Sequence, residues 1–310
     1  MSLTDLTDSP HAETRRTEGS AFVLSALAAV FWGSNFEATR IVLQELPPWT
    51  AAAGRFVFAA LGILLWLRLA EGAGLRALRR NALAFLVLGV VGVAGFNAAL
   101  FLGMRTSSPV TAALIMGTSP LTTNLLEALI GRRWPAPRAL FGMAISLIGV
   151  ALTVGAFSGA RFAPGDLLIF AGSLAWALYT IGCRRWVRDA SPLETSAWTM
   201  LAGAVTLLVA AFALEDPLAI ATTASPTAWG ATLWMALIGS VLAYLFWQVG
   251  ISVRGPAATS VLFNLVPVSA LLIAAAFGRM PHLTQVIGVA VAIFGVLLAS
   301  GRIGRRPRAQ

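Results

Sequence analysis

Apolar positions fall in ten runs, near residues 20–43, 49–70, 82–104, 109–130, 138–156, 165–183, 193–214, 228–250, 256–277 and 283–301. Each is about 18 to 23 residues long, enough for a helix to cross a hydrocarbon core of roughly 30 Å. Chain breakers stand between them: Pro47-Pro48, Ser108-Pro109, Pro135 with Pro137, Pro164-Gly165, Ser191-Pro192, Pro217, Gly255-Pro256 and Pro281. The pattern predicts an all-α integral membrane protein of ten transmembrane helices, spans 1 to 10, because only helices satisfy their own backbone groups in lipid at this length.

The pattern also repeats at long range. Residues 109–132, PVTAALIMGTSPLTTNLLEALIGR, return in diverged form at 256–279, PAATSVLFNLVPVSALLIAAAFGR. A shift of 147 places Pro109 on Pro256, Pro120 on Pro267 and Gly131 on Gly278; a shift of 144 places Trp32 on Trp176, Arg40 on Arg184 and Pro48 on Pro192; and a shift of 146 places Gly142 on Gly288. The chain therefore reads as a duplication, with one five-helix repeat over 19–156 and a second over 157–302. Five is odd, so the second repeat enters the membrane from the opposite side, inverted about a pseudo-two-fold axis in the membrane plane. Residues 1–18 are polar, carry Asp5, Asp8, Arg15 and Arg16, and are expected to form a disordered cytoplasmic tail; residues 303–310 form a short basic one.

Composition sharpens the class. The 310 residues are 58% hydrophobic and 11% charged, with a mean hydropathy of +0.81, outside the range of ordinary soluble domains. The net charge of +9 does not point to nucleic acid, because all 22 basic residues are arginines that lie mostly between spans. They set orientation instead. Arg76, Arg79 and Arg80, Arg132, Arg133 and Arg138, Arg184, Arg185 and Arg188, and the C-terminal arginines all fall on the side of the N-terminus. Both termini are accordingly expected to be cytoplasmic, with the protein in the inner (plasma) membrane and the lipid bilayer as its main partner. The single cysteine, Cys183, excludes an internal disulfide, and no Cys/His cluster offers a metal site.

Helical spacing then separates the faces. Trp32, Asn35 and Phe36 share a stripe on span 1, and Trp176 and Tyr179 occupy its equivalent on span 6. Asn97 and Phe101 on span 3 correspond to Tyr244 and Gln248 on span 8. Met116 in span 4 corresponds to Phe263 in span 9, followed there by Asn264. Pro120 and Pro267 lie mid-span and free the carbonyls of Met116 and Phe263, bending each helix for packing or offering acceptors to an interior. These twelve aromatic, amide and thioether side chains are the candidate substrate-binding residues. Spans 5 and 10 instead carry small-residue stripes, Gly142 and Gly149 in one and Gly288 and Gly295 in the other. Such stripes suit peripheral helices that buttress their own repeat or meet a second protomer, leaving monomer and homodimer both open.

Buried charge is scarce. Glu37 and Arg55 lie equally far from the turn at Leu46, so a hairpin brings them to one depth, as a structural ion pair or as a proton-coupling site. An intramembrane enzyme would need a nucleophile with a base, a carboxylate dyad or metal ligands at depth. The only histidines, His11 and His282, lie outside the spans, and Glu37 has no second acid at its level. Catalysis is not expected, and no cofactor is implied.

Ten spans in two inverted halves, a mid-span proline in spans 4 and 9 followed by Gly131-Arg132 and Gly278-Arg279, and Arg55-Phe56 near the start of span 2 resemble the drug/metabolite transporter superfamily, in its ten-helix EamA branch. The FWGSNF stretch at 31–36 looks most like the YddG-type exporters of aromatic and other neutral amino acids. Many EamA members have Gly-Glu where this chain has Gly-Arg, so no role of that glutamate carries over. The resemblance implies a central cavity between spans 1–4 and 6–9 and alternating access. Together with the stripes, it leads to the expectation of a secondary transporter exporting small amphipathic metabolites, aromatic and other neutral amino acids foremost. The alternative is a proton-coupled multidrug exporter of lipophilic cations built around Glu37.

Overall fold

The computed structural model describes residues 10–103, 105–107, 115–132, 134–153, 163–276, 278, 280–299 and 303. Among them the regular structure is helical throughout. Helix α1 runs Pro10–Val42 and α2 Pro48–Ala70. Helix α3 runs Leu75–Gly103, α4 Ser119–Gly131, α5 Pro137–Thr153, α6 Pro164–Arg185 and α7 Pro192–Leu214. After the short α8, Pro217–Thr223, come α9 at Pro226–Arg254, α10 at Pro256–Ser260, α11 at Leu265–Ala276 and α12 at Leu283–Ala299. Among the described residues seven helical stretches are long and apolar enough to cross a membrane, and α5 and α12 are shorter apolar helices. Outward faces carry exposed Leu69, Leu83, Leu129, Leu167 and Val209, as surfaces against lipid would.

The breakers start the helices. Pro48, Pro164, Pro192, Pro226 and Pro256 each stand in a first helical turn, where proline's missing N–H is no loss and its fixed φ is already helical. Ser191 adds a capping box on α7, accepting from the Glu194 amide at 3.0 Å while Glu194 accepts from the Ser191 amide at 2.8 Å. At the other extreme α1 begins at Pro10, so residues 10–18, expected to be disordered, are helical in this structure. Once an apolar span is helical, extending it needs no new nucleus.

Carboxylates tie α2 and α7 together, end to start. Glu215, just past α7, accepts from the amides of Trp49 and Thr50 at 3.1 and 2.7 Å and from the Thr50 hydroxyl at 2.7 Å. Glu71, just past α2, accepts from the Ser191 hydroxyl at 2.5 Å. Glu71 and Glu215 are equivalent under the shift of 144, as are Pro48 and Pro192. Each helix thus ends on an acid that serves the other's N-terminus, where the amides are unsatisfied and the dipole favours negative charge.

The small stripes of α5 and α12 face each other. A Cβ on Gly142 would meet the backbone of Ala299, one on Gly149 that of Ala292, one on Gly288 that of Thr153 and one on Gly295 that of Ser146. The pairing is antiparallel and backbone to backbone, and Ser146 Oγ donates across it to the Ala292 carbonyl at 3.2 Å. This corrects the expectation that each stripe buttresses its own repeat or meets a second protomer: both stripes are consumed in one seam within the chain. Glycine permits that approach, and dispersion between the close backbones rewards it.

Two departures from the α-helix sit at equivalent places. Helix α3 contains a π-helical turn at Gly89–Gly95 and α9 one at Leu237–Leu242; a shift of 147 places Gly92 on Gly239. The chain also breaks at Thr118, φ −79 and ψ −11, and at Leu265, φ −77 and ψ −14, two residues before Pro120 and Pro267. The second break follows a 3-10 turn at Val261–Asn264. Proline cannot donate back into the preceding turn, which tightens or opens in response.

Candidate functional site

Helices α1, α6 and α9 and the 3-10 turn before α11 bring five of the expected aromatic residues into one cluster. The Trp32 ring lies 5.3 Å from that of Trp176, 6.0 Å from Tyr244 and 5.5 Å from Phe263. Trp176 stacks on Tyr179 at 5.2 Å and meets Tyr244 edge-on at 5.6 Å. Each such pair contributes about 0.5 to 1.5 kcal/mol beyond the area it buries. Trp247 completes the nest, 5.1 Å from Trp32 and 5.9 Å from Phe263, and Phe96 closes on Trp176 at 5.3 Å.

Polar groups line it in two layers. Gln248 donates to the Tyr179 hydroxyl at 2.8 Å and to Cys183 Sγ at 3.1 Å, and Tyr179 in turn lies 3.3 Å from the Thr199 hydroxyl. Asn97 donates to the Val93 carbonyl at 2.7 Å, inside the π turn of α3. A different group of atoms is buried with no hydrogen-bond partner among the described residues: Asn35 Oδ1, Asn264 Oδ1 and Trp247 Nε1. Buried polar atoms left this way are costly.

The π turn of α9 is the junction of the site. Its Gly239 carbonyl accepts from Trp32 Nε1 at 2.9 Å and from Arg55 Nη2 at 3.2 Å, while Arg55 Nε donates to Ser240 Oγ at 2.9 Å. The Asn35 side chain lies directly against the Gly239 Cα, where a Cβ would collide with its amide. The equivalent π turn repeats the arrangement: a Cβ on Gly92 would collide with the ring of Tyr179, and Tyr179 is the counterpart of Asn35 under the shift of 144. A π turn carries one extra residue, which frees carbonyls for side chains to use.

Other expected residues stand apart. Asn264 turns its amide to Ser146 Oγ of α5 at 2.8 Å, beside the nest but anchored outward. Met116 is half-buried against the same core. Phe101 lies at an end of the molecule, lining a cleft of about 400 Å³ with Leu43, Pro47 and Arg105. The side chain of Phe36 lies outside the described residues. Among the described residues Arg55 makes no ion pair with Glu37: its acceptors are Ser240 and Gly239, and Glu37 has a partner of its own. Equal depth placed the two at one level, but the rotation of α2 aims Arg55 at α9.

At the opposite end of the bundle a second cleft, of about 580 Å³, is lined by Asn124, Glu127, Arg185, Arg254 and Ala257. Glu127 there accepts from the Ala257 amide at 2.8 Å and caps α10. The aromatic nest lies between the two clefts. No group of three metal-ligating side chains occurs among the described residues.

Sequence reasoning missed Trp247, Phe96, both π turns and the true setting of Arg55. One signal was available: Gly92 and Gly239 recur in the same register as the prolines.

The sequence profile described as the EamA-like transporter family matches this chain twice, at residues 19–155 and 163–301. The uncharacterized transporter YyaM of Bacillus subtilis is 39% identical over 280 residues, covering 89% of this chain and 92% of that protein. An aromatic amino acid exporter, YddG of Ancylobacter novellus, is 26% identical over 297 residues, covering 92% of this chain and 98% of the relative. A solved crystal structure, 23% identical, has a TM-score of 0.77 and covers 92% of this chain and 97% of that one, which shows a shared fold. The profile spans both halves, the relatives align almost end to end, and the apolar helices fit a multi-pass membrane protein; the chain belongs to the EamA-like transporter family and is a transporter, not an enzyme.

Proposed function

We propose that this transporter exports neutral amino acids with bulky or aromatic side chains from the cytoplasm, by alternating access about the aromatic nest. The observation that carries the reading is the nest itself: rings from both sequence halves meet in one cluster around Trp32, and two buried polar atoms, Trp247 Nε1 within it and Asn35 Oδ1 of the side chain against Gly239, lack partners among the described residues. Rings take up an apolar side chain, and a few fixed polar groups orient a ligand. Asn35 Oδ1 is suited to an ammonium group and Trp247 Nε1 to a carboxylate. The name of the aromatic amino acid exporter relative agrees with that substrate class.

In this reading the chain crosses the inner membrane ten times as two inverted five-helix repeats, with both termini cytoplasmic. The doubled family match, the reciprocal acid caps of α2 and α7, and the antiparallel α5–α12 seam support the inversion, since a two-fold axis relates each such pair to itself. The clefts at opposite ends of the nest are the two vestibules, opened in turn as the halves rock. The lipophilic-cation reading is disfavoured by Arg55, a buried positive charge held at the nest's edge by neutral acceptors.

Thermal unfolding of the purified protein in detergent tests the substrate class. Phenylalanine and methionine at a hundred times their Kd are expected to stabilise the wild type by about 2.7 kcal/mol, and Trp176→Ala is expected to lose that response. Stabilisation by tetraphenylphosphonium alone would contradict the reading.

A further inference from the structure

Arg55 is buried, with 8% of its surface exposed, yet the acceptors it meets are a hydroxyl and a backbone carbonyl. A guanidinium in a membrane interior pairs with a carboxylate or with backbone carbonyls, and here a carbonyl, a hydroxyl and the Phe56 ring, 5.0 Å away, leave its charge without a counter-ion among the described residues. It also has five N–H donors, and the contacts above use only Nε and Nη2.

The duplicated sequence shows whether the charge belongs to both halves. Under the shift of 144 the counterpart of Arg55 is Thr199. Thr199 packs beside the other π turn but bonds differently: its carbonyl lies against Gly89, and its hydroxyl meets Tyr179 and the carbonyls of Thr195 and Ser196. The equivalent position in the second half thus packs beside its π turn with a neutral hydroxyl and no cation. The charge at position 55 has no counterpart in the second half.

Its surroundings say what the charge faces. Arg55 Nη2 and Trp32 Nε1 converge on one oxygen, the Gly239 carbonyl, so the guanidinium reaches the edge of the nest through the residue at the nest's centre. Phe56, beside it, lies 6.1 Å from Tyr244. The Gly239 carbonyl serves two donors and Ser240 Oγ also donates to the Met235 carbonyl at 3.1 Å, so the acceptors around Arg55 are already engaged.

We infer that Arg55 is the specificity-determining residue for the substrate's carboxylate, selecting amino acids over the corresponding amines and amides. The inference rests on the amino-acid reading above. Guanidinium and carboxylate match as a planar fork, a charge-assisted contact roughly twice as strong as a neutral one. The charge stays constant across physiological pH, so recognition needs no proton uptake.

The test is uptake of labelled phenylalanine, phenylalanine amide and phenethylamine into liposomes holding the wild type, Arg55→Lys or Arg55→Gln. The wild type is expected to prefer phenylalanine by roughly tenfold to a hundredfold; Arg55→Gln brings the ratio near one while uptake persists, and Arg55→Lys falls between. A wild type that carries amide and acid equally overturns the inference with no variant needed, as does an Arg55→Gln protein with an unchanged ratio. A wild type that carries none of the three contradicts the amino-acid reading itself, a different result from equal transport.

Discussion

Trp32 and Gly239 are joined by a 2.9 Å hydrogen bond from the indole Nε1 to the backbone carbonyl, across 207 positions of sequence. The bond ties the ring at the centre of the nest to the π turn of α9. Trp32→Phe keeps an aromatic face and removes the donor. Its expected result is a folded protein with weaker phenylalanine binding, with a loss of about 0.5 to 1.5 kcal/mol for one neutral hydrogen bond, measured by titration calorimetry.

The two π-turn glycines make a matched pair of probes. Gly239→Ala presses on Asn35 and Gly92→Ala on Tyr179, while Gly230 has nothing near its missing Cβ. Both π-turn variants are expected to lose about 1 to 3 kcal/mol of stability through overpacking, along with most transport. Gly230→Ala, in the same helix as Gly239, is expected to behave as wild type in both melting and uptake.

The α5–α12 seam joins the two sequence halves at the last helix of each. Gly149→Leu would drive a side chain into the Ala292 backbone, and about 3 kcal/mol or more of destabilisation is expected because backbone cannot step aside. The check is a denaturant melt beside Phe141→Leu, an exposed position on α5, where no more than about 0.5 kcal/mol should change.

Acid should weaken one surface latch in particular. Glu45 accepts from the Ser225 hydroxyl at 2.7 Å and from its amide at 2.6 Å, bonds that hold its carboxyl below the ordinary value of 4.5. A folded-state value below the unfolded one means the contribution is present above pH 4.5 and disappears as the pH falls through the lower folded value. Wild type and Glu45→Gln should therefore differ most near neutral pH and converge in acid, by a small amount because the group is exposed. Hydrogen exchange at the first amides of α9, which Ser225 caps, reads this directly.

Much of this could be read from sequence because membranes leave few options. A polar side chain within an apolar run needs an interior partner, so Trp32, Tyr179, Tyr244 and Gln248 could be placed on inner faces from helical spacing alone. The duplication then gave each position a counterpart. What stayed hidden needed a partner or a rotation. The glycine stripes announced close approach but not to which helix; Arg55 had a depth but no azimuth, so Glu37 looked as near as Gly239. A π turn inserts one residue without changing composition, and nothing in GVVGVAG at 89–95 distinguishes it from α-helix.

The most direct test of the amino-acid reading is uptake of labelled phenylalanine into liposomes holding the purified protein, with and without an imposed pH gradient, beside a Trp176→Ala/Gln248→Ala double variant. The predicted result is saturable uptake by the wild type that the double variant loses while still melting cooperatively. Uptake that survives in the double variant, or a wild type that moves only a lipophilic cation and only under a pH gradient, would contradict the assignment of the aromatic nest as the amino-acid site.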